Sequence, residues 1–308
     1  DTLYSLVARF QEKEEKDGLH HGFFENFRVH NEVPATIYQS KASQLLESLN
    51  TTDSLSFARA HGDLDVVAFQ KGDLPLLQQA LLRSYTDEKE YTSTHSKLIA
   101  HILPLADETT LAFAEEAYKK LDGQENVVQY RLLQLLAEAQ TSESYAVLKR
   151  LLFSSLPKSG NPILLQKPLQ DSAELTATLF PDLLQKANDS LFGTVVAVVA
   201  NMLAEDGLLT LQTLKAYKAP IIQGAKNEWQ LLLDGSYEPW ELTRWARLLG
   251  FLNEPEGTAL LRSMLAQKDI PLKQAAIEAL LTNSHTVPAT EISKVAADKS
   301  QRVYFFEA

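Results

Sequence analysis

Along most of the chain the apolar residues recur at three- and four-residue spacings, the period of helices, and not in the alternation of strands. Leu3, Leu6, Val7 and Phe10 fall on one face of a helix over 1–16. The charge run 12–17 carries that helix into solvent, and Gly18 can end it. The stretch 19–38 breaks the pattern. It holds Phe23, Phe24, Phe27, Tyr38, three histidines and Pro34, and it predicts an irregular cap with a short strand at 27–29 or 36–38. A helix resumes over 37–49, and 51–69 shows no clear period. From Asp73 onward a succession of short amphipathic helices is predicted: 73–85, 87–103, 107–121, 125–139, 142–156, 172–187, 190–205, 208–217, 221–234, 239–252, 255–267, 271–283 and 288–298.

The punctuation agrees with that reading. Thr86-Asp87-Glu88, Asp107-Glu108 and Thr141-Ser142-Glu143 place acceptors where free N–H groups and the positive end of a helix dipole need them. Pro239, Pro255, Pro271 and Pro288 recur every 16 or 17 residues, each ahead of an apolar helical pattern. Proline suits a first helical turn, where its missing N–H costs nothing. So short a period makes consecutive helices antiparallel neighbours. The stretch 157–171, with Pro157, Gly160, Pro162 and Pro168, is claimed by no predicted helix and reads as a surface loop or a boundary between two sub-arrays. Pro181 is expected to kink or split the helix at 172–187.

One unit occurs twice. Residues 131–152 and 244–265 align without gaps, matching Arg131 with Arg244, Leu135 with Leu248, Leu136 with Leu249, Glu143 with Glu256, Leu148 with Leu261 and Leu152 with Leu265. Each copy reads as a helix end, a tight turn and a second helix, the mark of stacked helical pairs. Through these copies the chain resembles the HEAT and armadillo-like helical repeats, over about 73–298. The resemblance implies an all-α α-solenoid of antiparallel pairs, an α/α superhelix that binds a protein or peptide along one surface. The expected division is an N-terminal helix and cap over 1–72, then the helical array over 73–308.

Composition narrows the function. The 308 residues carry a net charge of −11 with no Lys/Arg-rich run, which argues against nucleic acid, because neutralising phosphates needs clustered cations. The absence of cysteine excludes disulfides, thiolate catalysis and Cys-based zinc sites, and fits a bacterial envelope or periplasmic protein somewhat better than a cytosolic one. The longest apolar run, 195–203, is half of what a membrane span needs. No phosphate loop, HExxH, GxSxG or GxGxxG is present, so no catalytic residue, metal or cofactor is assigned. His20, His21 and His30 are the one histidine cluster worth weighing, and Asp63 with Asp65 can be imagined as a metal-ligand pair; surface or capping roles suit both better than a metal.

All three tryptophans lie between positions 229 and 245. Trp245 shares a stripe with Leu248, Leu249 and Leu252 and is expected in the core, and Trp229 with Leu232 and Leu233 reads the same way. Trp240 instead shares a face with Arg244 and Arg247, where a guanidinium can stack on the indole. Tyr237, Trp240, Arg244 and Arg247 are therefore the candidate partner-binding surface. The repeated Arg131 and Arg244 are either a basic row for an acidic partner or structural links to a neighbouring turn. The expected function is a non-enzymatic scaffold or protein-interaction module, part of a larger protein. The alternatives are the accessory domain of an enzyme with an upstream catalytic domain, or a helical-toroid hydrolase.

Overall fold

The computed structural model describes residues 41–88 and 92–299. Among them the secondary structure is entirely helical, sixteen α-helices and several 3-10 turns, so the chain is all-α. None of the described helices is long and apolar enough to cross a membrane. The chain divides into two compact units, Asp1–Phe69 and Gln70–Ala308. The helix expected at 1–16 and the cap at 19–38 with His20, His21 and His30 lie outside the described residues.

In the first unit, α1 (Ala42–Ser48) packs against α2 (Ser54–Asp63), burying Leu45, Leu46, Leu49, Ala60 and Leu64. The stretch 51–69, without a clear period in sequence, thus contains a helix. Its signal is the cap: the Asp53 carboxylate accepts from the Ser56 N–H at 2.8 Å. Leu55 points to solvent, which is why no apolar stripe is legible there.

The second unit holds α3 (Leu74–Leu81), α4 (Thr94–Ile102), α5 (Glu108–Lys120), α6 (Val128–Glu138), α7 (Ser142–Ser154), α8 (Gln166–Asp171), α9 (Ala173–Ala177), α10 (Gly193–Glu205), α11 (Leu211–Ala216), α12 (Lys218–Leu233), α13 (Thr243–Leu252), α14 (Pro255–Met264), α15 (Ile270–Thr282) and α16 (Ala289–Ala297). Ser93, Asp107, Thr141, Thr210 and Asp269 cap their helices through side-chain oxygens. Pro239, Pro255 and Pro271 occupy first turns, and Pro288 stands at the N-cap of α16.

Two stretches differ from the sequence reading, and the split expected at Pro181 is found. The helix expected from 87 starts at Thr94, and Asp87 instead reaches forward to accept from the Thr94 N–H at 2.7 Å and its hydroxyl at 2.8 Å. The helix expected over 172–187 is divided at Pro181 into α9 and a 3-10 helix, Asp182–Lys186. The segment 157–171, expected free of helix, contains a 3-10 turn (Pro162–Leu165) and α8. It packs on α6, and Leu165 and Leu169 are fully buried. Gly160 permits the approach: its φ is +107°, and a Cβ there would stand 2.9 Å from the Tyr130 ring.

The repeated unit is repeated in the backbone too. Helices α6–α7 and α13–α14 occupy equivalent stretches, and the turn residues Gln140 and Asn253 take the same left-handed conformation, φ +50° and +49°, at equivalent positions. Packing runs mostly between neighbours in sequence, although α10 also packs on α13, three places along. Consecutive pairs touch at α3–α4, α5–α6, α6–α7, α13–α14, α14–α15 and α15–α16, and next-but-one pairs at α4–α6, α5–α7, α6–α8, α8–α10, α11–α13, α12–α14 and α13–α15. Helix α6 is enclosed on all sides, every residue from Val128 to Ala137 being buried.

Two glycines permit close approaches between helices and their neighbours. A Cβ on Gly250 would lie 2.8 Å from that of Ala279, where α13 crosses α15. A Cβ on Gly224 of α12 would lie 2.2 Å from the Ala187 carbonyl oxygen and 2.5 Å from the Trp245 ring. Neither backbone oxygen nor buried indole can yield cheaply, so Gly224→Ala is expected to destabilise the protein by about 2–3 kcal/mol. Gly72→Ala, which meets open space, should leave the denaturant midpoint within about 0.5 kcal/mol of wild type. Equal midpoints for the two variants would show that α12 does not sit so close.

Candidate functional site

The four candidate partner-binding residues are held between the end of α12 and the middle of α13. Trp240 lies in a 3-10 turn (Pro239–Leu242) anchored by the fully buried Leu242 and packed on α12, α13 and α15. Its indole is 55% exposed, while Trp245 is fully buried. Arg247, two helical turns further on, is also exposed, and its nearest carboxylate is Glu205 at 4.0 Å. Trp240 and Arg247 are thus both displayed to solvent.

Tyr237 and Arg244 are engaged internally. The Tyr237 hydroxyl lies 3.3 Å from the Thr194 hydroxyl and beside the Glu228 carboxylate, so burial first, and then that carboxylate, push its pKa well up. Thr194 donates to Glu228, which is only 8% exposed. These hydroxyls explain why an acid fills the buried position on α12, beside Ile221, Ile222, Gly224 and Ala225. Trp229, expected in the core, is instead half-buried, and Leu233 is exposed. Arg244 turns its Nε–H onto the Glu241 carbonyl at 2.5 Å, and its own carbonyl accepts from the Asn201 amide at 2.7 Å.

Arg131, equivalent to Arg244 in the repeat, has a different environment. It is 2% exposed in the middle of α6. Its Nη2 donates to Glu88 Oε2 at 3.1 Å and to Ser93 Oγ at 2.9 Å; its Nη1 donates to Ser96 Oγ at 3.2 Å and to Gln134 Oε1 at 3.1 Å. The other oxygen of Glu88 meets His95 Nδ1, and His95 Nε2 lies 3.0 Å from the Leu81 carbonyl. The Tyr85 ring meets the His95 ring edge-on, with centroids 4.9 Å apart. Of the two readings of Arg131, a structural link is what the geometry gives: the guanidinium ties α6 to α4 and to the connection that precedes it.

Serine, histidine and glutamate in one cluster invite comparison with a hydrolytic triad, and the geometry rejects it. Both ring nitrogens of His95 are engaged, by a carboxylate and by a carbonyl, so neither is left to take a proton from Ser93. Burial opposes the ionisation of Glu88, yet its His95 and Arg131 contacts outweigh burial and hold its carboxyl below the ordinary value. Glu88 and Ser93 carry no sequence signal of this role, because Arg131 lies 43 and 38 residues from them.

A surface groove of about 560 Å³ is lined by Ala146, Lys149, Arg150 and Phe153 of α7, with Asp182 and Gln185 of the neighbouring 3-10 helix. Its cations are already engaged, Lys149 with Asp182 at 3.1 Å and Arg150 with Glu115 at 2.7 Å. Arg150, followed by Lys119, holds the Glu115 carboxyl down at about 2. Comparison with family models, with curated proteins and with solved structures finds no match to this chain.

Two outcomes follow from these contacts. Arg131→Met leaves Glu88 part-buried without its guanidinium and is expected to cost about 3–5 kcal/mol in urea unfolding; a loss below about 1 kcal/mol would mean that the ion pair is not holding α6. Glu115 has a lower pKa folded than unfolded, so its contribution is complete above the ordinary carboxylate range, near 4.3, and is lost as the pH falls through the folded value of about 2. Glu115→Gln should therefore lose less stability than wild type between about pH 4 and pH 2; identical pH profiles would contradict the pairing.

Proposed function

We propose that the unit Gln70–Ala308 is a HEAT-like α-solenoid of antiparallel helical pairs that works as a non-enzymatic scaffold, binding a protein or peptide. The observation that carries the reading is the packing order. Most helix contacts are between helices one or two places apart along the chain, α10 with α13 at three places being the exception, and the helix–turn–helix of α6–α7 recurs in register as α13–α14 down to the left-handed residue of the turn. An array built in this way has a stability dominated by neighbour interfaces and a long surface available for recognition.

The chemistry points the same way. The buried cluster most like a catalytic centre, around Arg131, has each side chain engaged by another. What is left accessible on the candidate surface is Trp240 and Arg247, an indole and a guanidinium, the residue types that most often dominate protein interfaces. Tyr237 and Arg244 support that turn from beneath.

Two measurements test the reading. Solution scattering of the second unit should give a radius of gyration well above the roughly 17–18 Å expected of a compact 239-residue globule; agreement with the compact value would remove the superhelix. Trp240→Ala should leave thermal melting within about 1 °C of wild type while weakening a partner by about 2 kcal/mol. Immobilised wild-type and variant chains retaining the same proteins in the same amounts would remove Trp240 from the binding surface.

A further inference from the structure

The environment of Glu88 is that of a bound ligand. Its carboxylate is met on one oxygen by His95 Nδ1 and on the other by Arg131 Nε at 3.4 Å and Nη2 at 3.1 Å. The groups that hold it are positioned without it. Nη1 and Nη2 of Arg131 are fixed by Ser93, Ser96 and Gln134, and Nε2 of His95 is fixed by the Leu81 carbonyl. These groups stand on α3, α4 and α6 or on the Ser93 N-cap, and Ser93, His95 and Arg131 are buried. Glu88 is different. Its side chain is 20% exposed, and it comes from the non-helical connection between α3 and α4.

We propose that Arg131 and His95, positioned by Ser93, Ser96 and Gln134, form a carboxylate-binding site that Glu88 occupies in cis. A guanidinium presenting two N–H groups to one side of a carboxylate, with a ring nitrogen opposite, is a recognition geometry for that group, whichever molecule carries it. Carboxylate from outside, such as a free monocarboxylate or a partner's acidic side chain, competes with Glu88 for it. The ligand class is a carboxylate, because the contacts meet two oxygens, one at His95 Nδ1 and one at the Arg131 Nε and Nη2. This deepens the scaffold reading by naming the chemistry of one contact, and its test does not depend on any partner being found.

The test vacates the site and refills it. Glu88→Ala in the full chain is expected to lower the melting temperature by about 10 °C in sodium chloride. Sodium acetate or formate at the same ionic strength restores most of that loss, saturably, with half the effect on the order of 1–10 mM. Glu88→Gln fills the space with a neutral amide, so it is destabilised too but gains nothing from acetate. Equal melting of Glu88→Ala in acetate and in chloride overturns the proposal, and so does an equal gain from acetate in both variants. Should Glu88→Ala not fold in chloride, its refolding yield in acetate against chloride gives the same comparison, with equal yields counting against the site. Loss of the scaffold reading by scattering would leave the acetate result standing, so the two failures are distinguishable.

Discussion

A guanidinium with its three nitrogens inside a helical protein is stable only if every N–H finds an acceptor, and Arg131 is the place where this fold meets that constraint. Moving an isolated cation out of water costs several kcal/mol, and one ion pair rarely returns it all. Here the cost is met by distributing the donors. Glu88 takes the charge, and Ser93, Ser96 and Gln134 accept the remaining N–H groups. Those acceptors come from the connection before α4, from α4 itself and from α6, so satisfying one side chain fixes three pieces of chain relative to one another. The apolar surround is then completed by the segment 157–171, which closes over α6 because Gly160 permits the approach.

The same principle recurs further along with other chemistry. Lys273, nearly buried on α15, donates to the Leu265 carbonyl at the end of α14 and pairs with Glu291 of α16. The Asn283 amide donates to the Gly250 carbonyl of α13 at 2.8 Å, and Asn201 reaches the carbonyl of Arg244. The Lys273 and Asn283 ties run between elements one or two helices apart, and the Asn201 tie spans three. Ties of this kind suit the proposed helical array, in which Trp240 and Arg247 are the proposed binding surface.

Much of the helical order was legible because its causes are local. Thr141 and Asp107 sit directly before the N–H groups they cap, and Pro255 and Pro271 mark first turns by the chemistry of their own rings. The helix expected at 87–103 began late because Asp87 caps from seven residues upstream, a contact that no spacing rule anticipates. The burial of Trp245 could be read from its stripe, whereas that of Glu228 could not. Its acceptability depends on Thr194 and Tyr237, which only the folded chain brings near. Tyr237 stands out in the sequence by its residue type, but its contacts follow from the direction of its hydroxyl, which sequence does not encode.

The central claim is that Arg131 is tied to Glu88 and serves as structure, not as an exposed basic row. A double-mutant cycle of Arg131→Met and Glu88→Gln, read by urea unfolding, tests it most directly. The account predicts a coupling energy of about 1.5–3 kcal/mol between the two positions, the double variant being clearly more stable than the sum of the single losses implies. Additive losses, with coupling below about 0.5 kcal/mol, would contradict it.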